Sequence, residues 1–109
     1  MVIVEVMEKN KGIHQITLSG HAESGPAGYD LVCAGVSAVS FGAVNSVYKL
    51  IGLKLNIEQK DDGGFLDISI PKQITNDQWD KTQLLLKGMI VSLQTIEDQY
   101  SEYITIKFV

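Results

Sequence analysis

A cysteine and a histidine lie close together near the start of the chain, on either side of a stretch of small residues. Within residues 19–37, the segment 22–29 lies between His21 and Cys33, and Asp30 stands three positions before the cysteine. An imidazole can accept the proton of a thiol and later return it to a leaving amine. The two residue types and their spacing therefore raise the hypothesis of nucleophilic chemistry at the thiol.

A predicted helix start would place this thiol where a thiolate is favoured. Asp30 has the residue type of an N-cap, Tyr29 that of a hydrophobic staple, and the apolar run that follows predicts a helix to about Ile51, closed by Gly52. Cys33 would then be the third helical residue, near free N–H groups and the positive end of the helix macrodipole. The same N–H groups would be able to receive a developing oxyanion.

The same residues also have a purely structural interpretation. A single cysteine on an apolar helix is typical of a buried thiol, and a histidine after a strand is commonly a solvated surface residue. Ser37, one turn beyond Cys33, has a hydroxyl that can bond the helix backbone, and His14 in mid-strand is interpreted as a surface histidine. The individual residues leave both interpretations open.

The apolar pattern predicts the element order ββαββαβ. Alternating apolar residues indicate strands at 2–6, 16–18, 53–57, 66–70 and 104–108, and turns at 10–12 and 61–64 make two hairpins. A second helix, capped by Thr75 or Asn76, has an apolar face that steps by three and four: Trp79, Thr82, Leu86, Met89, Leu93, Ile96 and Tyr100. We expect a single α+β domain over residues 1–109, with a mostly antiparallel five-stranded sheet covered on one face by both helices.

Composition and charge limit the functions that this chain can have. The 109 residues include 13 acidic and 9 basic side chains, a net charge of −4, which is a poor footprint for nucleic acid. The one cysteine cannot form an intrachain disulfide, and residues 1–12 lack the pattern of a signal peptide, so a cytoplasmic location is expected. The uncharged run 31–48 is rich in Ser, Gly and Ala, which favours a core helix over a membrane span. One cysteine and two histidines do not complete a zinc site, and no metal or cofactor is expected.

Three segments of the chain resemble one known family. They are GHA at 20–22, GYDLVCAGVSAVSFGAVNS at 28–46 and GMIVSLQTIEDQY at 88–100. Together they are similar to the ribosomal-processing cysteine protease family of bacteria, Prp, over nearly the whole chain. Two positions differ slightly from the family pattern: Leu31 stands where isoleucine is frequent, and Pro26 stiffens the small-residue segment.

The resemblance implies a role for each matching residue. The histidine of the Gly-His motif is the base and the cysteine is the nucleophile, which correspond to His21 and Cys33, with Gly20 completing the motif. Asp30 and Ser37 match supporting residues of the family. The segment between the pair, which contains Ala22, Gly25 and Gly28, is expected to be a substrate loop that is open when empty and folds over an extended peptide.

The resemblance also implies a task. Members of the family are homodimers that remove a short N-terminal extension from large-subunit ribosomal protein twenty-seven and so support ribosome assembly. The expected partner is therefore the N-terminal peptide of a ribosomal protein, with no direct contact to nucleic acid or membrane. One alternative is a non-catalytic ribosome-associated protein that only binds such a peptide. Another is a thiol redox sensor, although a resolving cysteine is missing from the sequence.

Overall fold

The computed structural model describes residues 1–20, 28–60 and 64–109, and only the backbone of residues 28–30. Its elements in chain order are strands β1 (Val2–Lys9) and β2 (Gly12–Ser19), helix α1 (Gly28–Ser46) continued by a π-helical turn (Val47–Ile51), strands β3 (Asn56–Gln59) and β4 (Phe65–Ser69), helix α2 (Asn76–Gln99) and strand β5 (Ile104–Phe108). This confirms the predicted order ββαββαβ.

The five strands form one sheet in the order β3-β4-β2-β1-β5. Three of the four strand pairings are antiparallel, and β1 pairs with β5 in parallel. The predicted mostly antiparallel sheet is thus confirmed. The parallel pair brings together the first and last strands of the chain, which alternation alone does not reveal.

The core lies between the sheet and the two helices. Alternate residues of the central strands point toward the helices and are buried, among them Val4, Ile16 and Ile68. From the helix layer, Val32 and Leu93 are also buried against them. Because apolar residues recur at every second position in the strands, one face of the sheet enters the core and the other stays polar.

Helix α2 fastens the start of β2. The pairing register of β1 with β2 shifts at Met7 and Glu8, and at this irregularity the backbone of Ile13 bonds to a side chain. The Ile13 N–H donates to Gln83 Oε1 at 2.7 Å, and Gln83 Nε2 donates to the Ile13 carbonyl at 2.7 Å. Beside this clamp, the Trp79 ring lies so close to Gly12 that a Cβ there would come within 2.6 Å of it.

Two of the three helix ends that the sequence predicts agree with the structure. Thr75 caps α2 through a capping box: its side chain accepts from the Gln78 N–H at 3.1 Å, and Gln78 Oε1 accepts from the Thr75 N–H at 3.0 Å. Gly52, with φ of 74°, closes the first helix by donating its N–H to the Tyr48 carbonyl at 3.0 Å. Both ends agree with the prediction.

The predicted start of the first helix is wrong. Helix α1 begins at Gly28, so Asp30 lies inside its first turn and is not the N-cap, and Tyr29 is not a staple residue outside the helix. A carboxylate is favoured in the first turn as well as at the cap, because both positions are near the positive end of the macrodipole. The sequence pattern at Asp30 therefore fits either position.

Two smaller predictions also need correction. The third strand covers Asn56–Gln59, and Leu53 and Leu55 are buried in the connection before it. The apolar residues of the first helix also predict that Leu50 shares a packed face with Val36 and Val47, but Leu50 is exposed. It lies in the π-helical turn, whose i→i+5 bonds change the phase of the helix after Ser46.

The segment Leu31–Ile51 has the length and mean hydropathy of a membrane-crossing helix. Core helices of globular domains commonly meet the same criteria. In this fold Val32, Val36 and Val47 of the segment are buried in the core cluster shared with the sheet and α2.

Candidate active site

The only thiol of the chain lines a cavity between α1 and one end of the sheet. Cys33 is half-buried, and the cavity has a volume of about 170 Å³. Strands and their connections supply one wall and α1 the other. The strand side comprises Val2, Leu18, Ser19, Gly20, Gln59, Gly64, Phe65 and Leu66, and the helix side comprises Cys33, Val36, Ser37, Ser40 and Phe41.

Gly20 holds a backbone shape that only glycine adopts readily. Its φ is 91°, and a Cβ at this position would overlap the carbonyl oxygen of Met1. The Gly20 N–H donates to the Gly64 carbonyl at 3.0 Å. The residue before His21 is thus fixed between the start of β1 and the residue that precedes β4, at the rim of the thiol cavity.

The helix wall presents hydroxyl groups at helical spacing from the thiol. Ser37 follows Cys33 by one turn, and Ser40 follows it by two turns. Ser40 is fully buried, and among the described residues its hydroxyl has no hydrogen-bond partner. Burying an unpaired hydroxyl costs free energy, so this group should lower the stability of the fold.

The structure brings three of the predicted site residues together. Gly20, Cys33 and Ser37 all line the one cavity. Gly28 and Asp30 belong to the first turn of α1, where the backbone alone is described.

The remaining predicted residues, His21, Ala22 and Gly25, lie outside the described residues. Their roles therefore stay predictions. The expected substrate loop 22–29 falls mostly on the same undescribed segment.

The observed helix start changes the electrostatic argument for the thiol. Because α1 begins at Gly28, Cys33 is its sixth residue, in the second turn. Its own N–H is therefore used inside the helix, and the macrodipole effect falls off within the first turn. The prediction that Cys33 lies among the free N–H groups is therefore wrong.

Sequence reasoning missed several residues of the cavity. Ser40, Phe41 and Gln59 line it, although only the helical spacing of the first two from Cys33 could have indicated them. Gln59 is brought in by the pairing of β3 with β4, and its place near a thiol 26 positions away could not be read from a local pattern.

The cavity can hold one ring-sized side chain beside the Cys33 sulfur. A dry cavity of about 150 Å³ is enough for benzene, and the space next to Cys33 is slightly larger, about 170 Å³. Its walls are mainly apolar, with a few hydroxyl, amide and backbone groups. Within residues 1–20, 28–60 and 64–109, no cluster of three His, Cys, Asp or Glu side chains could bind a metal ion.

Comparison with known proteins finds one family. The model of the family described as cysteine protease Prp matches residues 1–105. The ribosomal processing cysteine protease Prp of Bacillus subtilis is 45% identical over 93 residues, 85% of this chain and 83% of that protein. The protein of the same name from Staphylococcus aureus (strain Mu50) is 39% identical over 109 residues, 99% of each chain.

Solved structures show the same likeness. The essential ribosomal processing protease Prp from S. aureus in complex with a substrate peptide has a TM-score of 0.86 to this chain, at 35% identity and with complete coverage of both chains. A second S. aureus structure, with a covalently linked product peptide, has a TM-score of 0.86 at 36% identity, again with complete coverage.

Proposed function

Because this chain belongs to the cysteine protease Prp family, we propose that it is an endopeptidase that removes the N-terminal extension of large-subunit ribosomal protein twenty-seven. Cys33 is the nucleophile and His21 its base. The observation that carries the proposal is the position of the only thiol of the chain: it lines a ring-sized cavity together with Gly20, the residue before His21.

The proposed reaction passes through an acyl-enzyme. The His21 imidazole takes the proton of the Cys33 thiol, and the thiolate sulfur attacks the carbonyl carbon of the scissile peptide bond. When the C–N bond breaks, the imidazolium gives its proton to the leaving amine. Water then attacks the thioester with the imidazole as base, which releases the acid product and restores the thiol.

The proposed supporting residues act on this pair through position. Gly20 sets the direction in which the chain enters His21, because its positive φ and its contact with Met1 allow no side chain. Ser37 presents its side chain to the same cavity as the sulfur. Asp30 lies three positions before Cys33 on α1, and we propose that it supports the pair, as the match to the family motif implies.

The cavity and the charge of the chain support a peptide substrate of this kind. A space of about 170 Å³ beside the sulfur fits an aromatic side chain next to the cut bond. The net charge of −4 complements a basic ribosomal protein. The S. aureus relatives were solved with a substrate peptide and with a covalently linked product peptide, which is consistent with thiol chemistry on a peptide.

The test is incubation of the purified protein with a ribosomal protein twenty-seven that carries an N-terminal extension, followed by mass spectrometry of the products. We expect a single cut for the natural chain and none for Cys33→Ala or Cys33→Ser, because an alanine has no nucleophile and a serine hydroxyl ionises far less readily than a thiol.

The control is peptide binding by the Cys33→Ala variant, which should be retained. Undiminished cutting by Cys33→Ala would refute the proposal that Cys33 is the nucleophile of a protease. Binding by the natural chain without any cutting would support the alternative of a peptide-binding assembly protein.

We further propose that the enzyme works in the cytoplasm as a homodimer. Large apolar side chains are exposed on the helix layer, including Leu31 on α1 and Leu84 and Val91 on α2, which would suit contact with a second copy. Sedimentation of the purified protein tests this, and a monomer at working concentration would contradict it.

A further inference from the structure

Strand β3 forms one edge of the sheet and offers backbone groups for a further strand. The Lys60 N–H donates to the Phe65 carbonyl at 3.3 Å, and in an antiparallel ladder such hydrogen-bonded pairs recur every second residue. Asn56 and Glu58 therefore bond to β4. The N–H and carbonyl groups of Ile57 and Gln59 point away from the sheet, and no strand of the described chain lies on that side.

The opposite edge of the sheet is blocked. Tyr103 and Val109 bond to β1 through their backbones, so the alternate residues between them direct their backbone groups outward. One of these, the Ile106 N–H, donates to the Glu97 carboxylate of α2 at 2.7 Å. Covering an edge in this way prevents strand addition. The described part of β3 has no comparable cover, so the two edges differ in what they can bind.

A second depression lies along the open edge next to the thiol cavity, and we refer to the two together as the groove. On the helix side, Phe41 lines the cavity. Val44, one turn further along α1, and Tyr48 in the π-helical turn line the next depression. On the strand side, Gln59 lines the cavity and Ile57 lines the depression. Alternate residues of a strand are about 6.7 Å apart, so the two spaces adjoin along the same edge.

The groove has apolar walls that remain accessible. Phe41 is 39% exposed, Tyr48 60% and Ile57 38%. Exposed aromatic and branched side chains beside free backbone groups are the two features that strand addition uses: main-chain hydrogen bonds supply affinity, and pockets for alternate side chains supply selectivity.

We propose that the substrate binds as a sixth strand of the sheet. An extended segment of the peptide next to the cut site pairs with the outer edge of β3 through the backbones of Ile57 and Gln59. Its alternate side chains lie against Phe41 and Tyr48, and its end enters the cavity at Cys33. This inference rests on the proposed function, because the extended peptide is assigned as the occupant from the place of the second depression directly beside the thiol cavity along β3.

The first test is a backbone scan of the peptide. Substrate peptides carrying one N-methyl group at successive amides are titrated against Cys33→Ala, with fluorescence anisotropy as the readout. Loss of a main-chain hydrogen bond should weaken binding about five- to tenfold. We expect this loss at every second amide and a change below about twofold at the intervening ones, because a strand bonds to its neighbour at alternate residues. An effect without alternation would overturn the sixth strand.

The second test removes a single donor from the protein. Gln59→Pro deletes the outward N–H and is compatible with an edge strand, whereas Gln59→Ala keeps that N–H and removes only the side chain. We expect binding about five- to tenfold weaker for the proline variant than for the alanine variant. Phe108→Pro, at an outward position of the blocked edge, should bind like the natural chain. Equal affinity of Gln59→Pro and Gln59→Ala would refute the pairing.

The two tests separate this inference from the proposed function. If the protein cuts the extended ribosomal protein but the N-methyl scan shows no alternation, the proposed protease function stands and the sixth-strand inference is refuted. If the loss of affinity alternates along the methylated peptide but no cutting occurs, the sixth-strand inference is supported and the proposed protease function is refuted. A change of Gln59→Pro from dimer to monomer in sedimentation would show that a second copy occupies the edge, which would also overturn the inference. If Gln59→Pro does not fold, the methyl scan on Cys33→Ala decides.

Discussion

Substituting Gly20 by alanine should damage both stability and catalysis, for reasons visible in the backbone. The residue has a φ of 91°, and an added Cβ would overlap the carbonyl oxygen of Met1. That oxygen belongs to the backbone, so relief requires movement of the chain at the start of β1 or just before His21. Because Val2 and Gly20 both line the thiol cavity, either movement changes its shape.

The size of the effect follows from comparison with a matched glycine. Gly52 has a similar φ of 74°, but a Cβ there would meet nothing within 4 Å. Placing an L-residue at positive φ costs about 1–2 kcal/mol, which applies to both sites. Forcing extra atoms into a packed region adds about 1–3 kcal/mol at Gly20 alone. Gly20→Ala should therefore lower the free energy of unfolding by about 2–5 kcal/mol and Gly52→Ala by about 1–2 kcal/mol.

The assay is urea unfolding of both variants at equilibrium, with cleavage of the extended substrate measured under conditions where each is folded. The gain from restricting the unfolded chain is the same for both glycine-to-alanine changes, so it cancels in their difference. We expect slower cleavage for Gly20→Ala and near-normal cleavage for Gly52→Ala. Equal losses of stability, or normal cleavage by folded Gly20→Ala, would refute the steric argument.

Three further predictions follow from other parts of the molecule. His21→Ala should slow alkylation of the thiol by iodoacetamide near neutral pH while His14→Ala should not, and equal rates in both variants would leave His21 without a role as base. Gln83→Leu should lower the free energy of unfolding by about 2–5 kcal/mol in urea titration, because both backbone groups of Ile13 lose their partner in a buried site; a loss below about 1 kcal/mol would contradict the clamp. Ser40→Ala should raise the unfolding free energy by about 1 kcal/mol, because it removes a buried unpaired hydroxyl, and a clear loss of stability would show that the hydroxyl is bonded.

The elements that could be predicted from the sequence are those that carry a repeated or local signal. Helix α2 shows an apolar step of three and four over its whole length, and its first residues contain the capping pair Thr75 and Gln78. The strands of the first hairpin alternate, and Gly52 marks a helix end that needs a positive φ. Each of these signals lies within a few residues of the feature it specifies.

The features that could not be predicted depend on residues far apart or on balanced local preferences. The position of β5 beside β1 and of Gln59 near the thiol are set by pairing between distant segments. At the start of α1, Asp30 is suited both to the cap and to the first turn, so residue type did not decide between them. The π-helical turn at the end of the first helix is marked by no composition signal in the sequence.

The cysteine protease family could be recognised from the sequence, but the surroundings of the thiol could be predicted only partly. Cys33 and Ser37 are one helical turn apart, which places them on one face from spacing alone. That Gly20 closes the same cavity follows from the pairing of β2 with β4, seen in the bond from the Gly20 N–H to the Gly64 carbonyl. The roles of His21 and Asp30 rest on the family motif and on the experiments described above.

The parallel pairing of β1 with β5 has a consequence for when the thiol cavity takes its final shape during synthesis of the chain. Val2, in the wall of the thiol cavity, donates its N–H to the carbonyl of Tyr103, about a hundred residues later in the chain. At about 5–20 residues per second, β1 emerges roughly 5–20 s before its last partner is made. The strand that supplies Val2 to the cavity is therefore held on its outer side only after the C-terminal strand docks, a long-range closure that is slow relative to local folding. A nascent chain on the ribosome would thus carry its thiol for several seconds before β1 is held on both sides, so the cavity would take its final shape only after residues 104–108 are made.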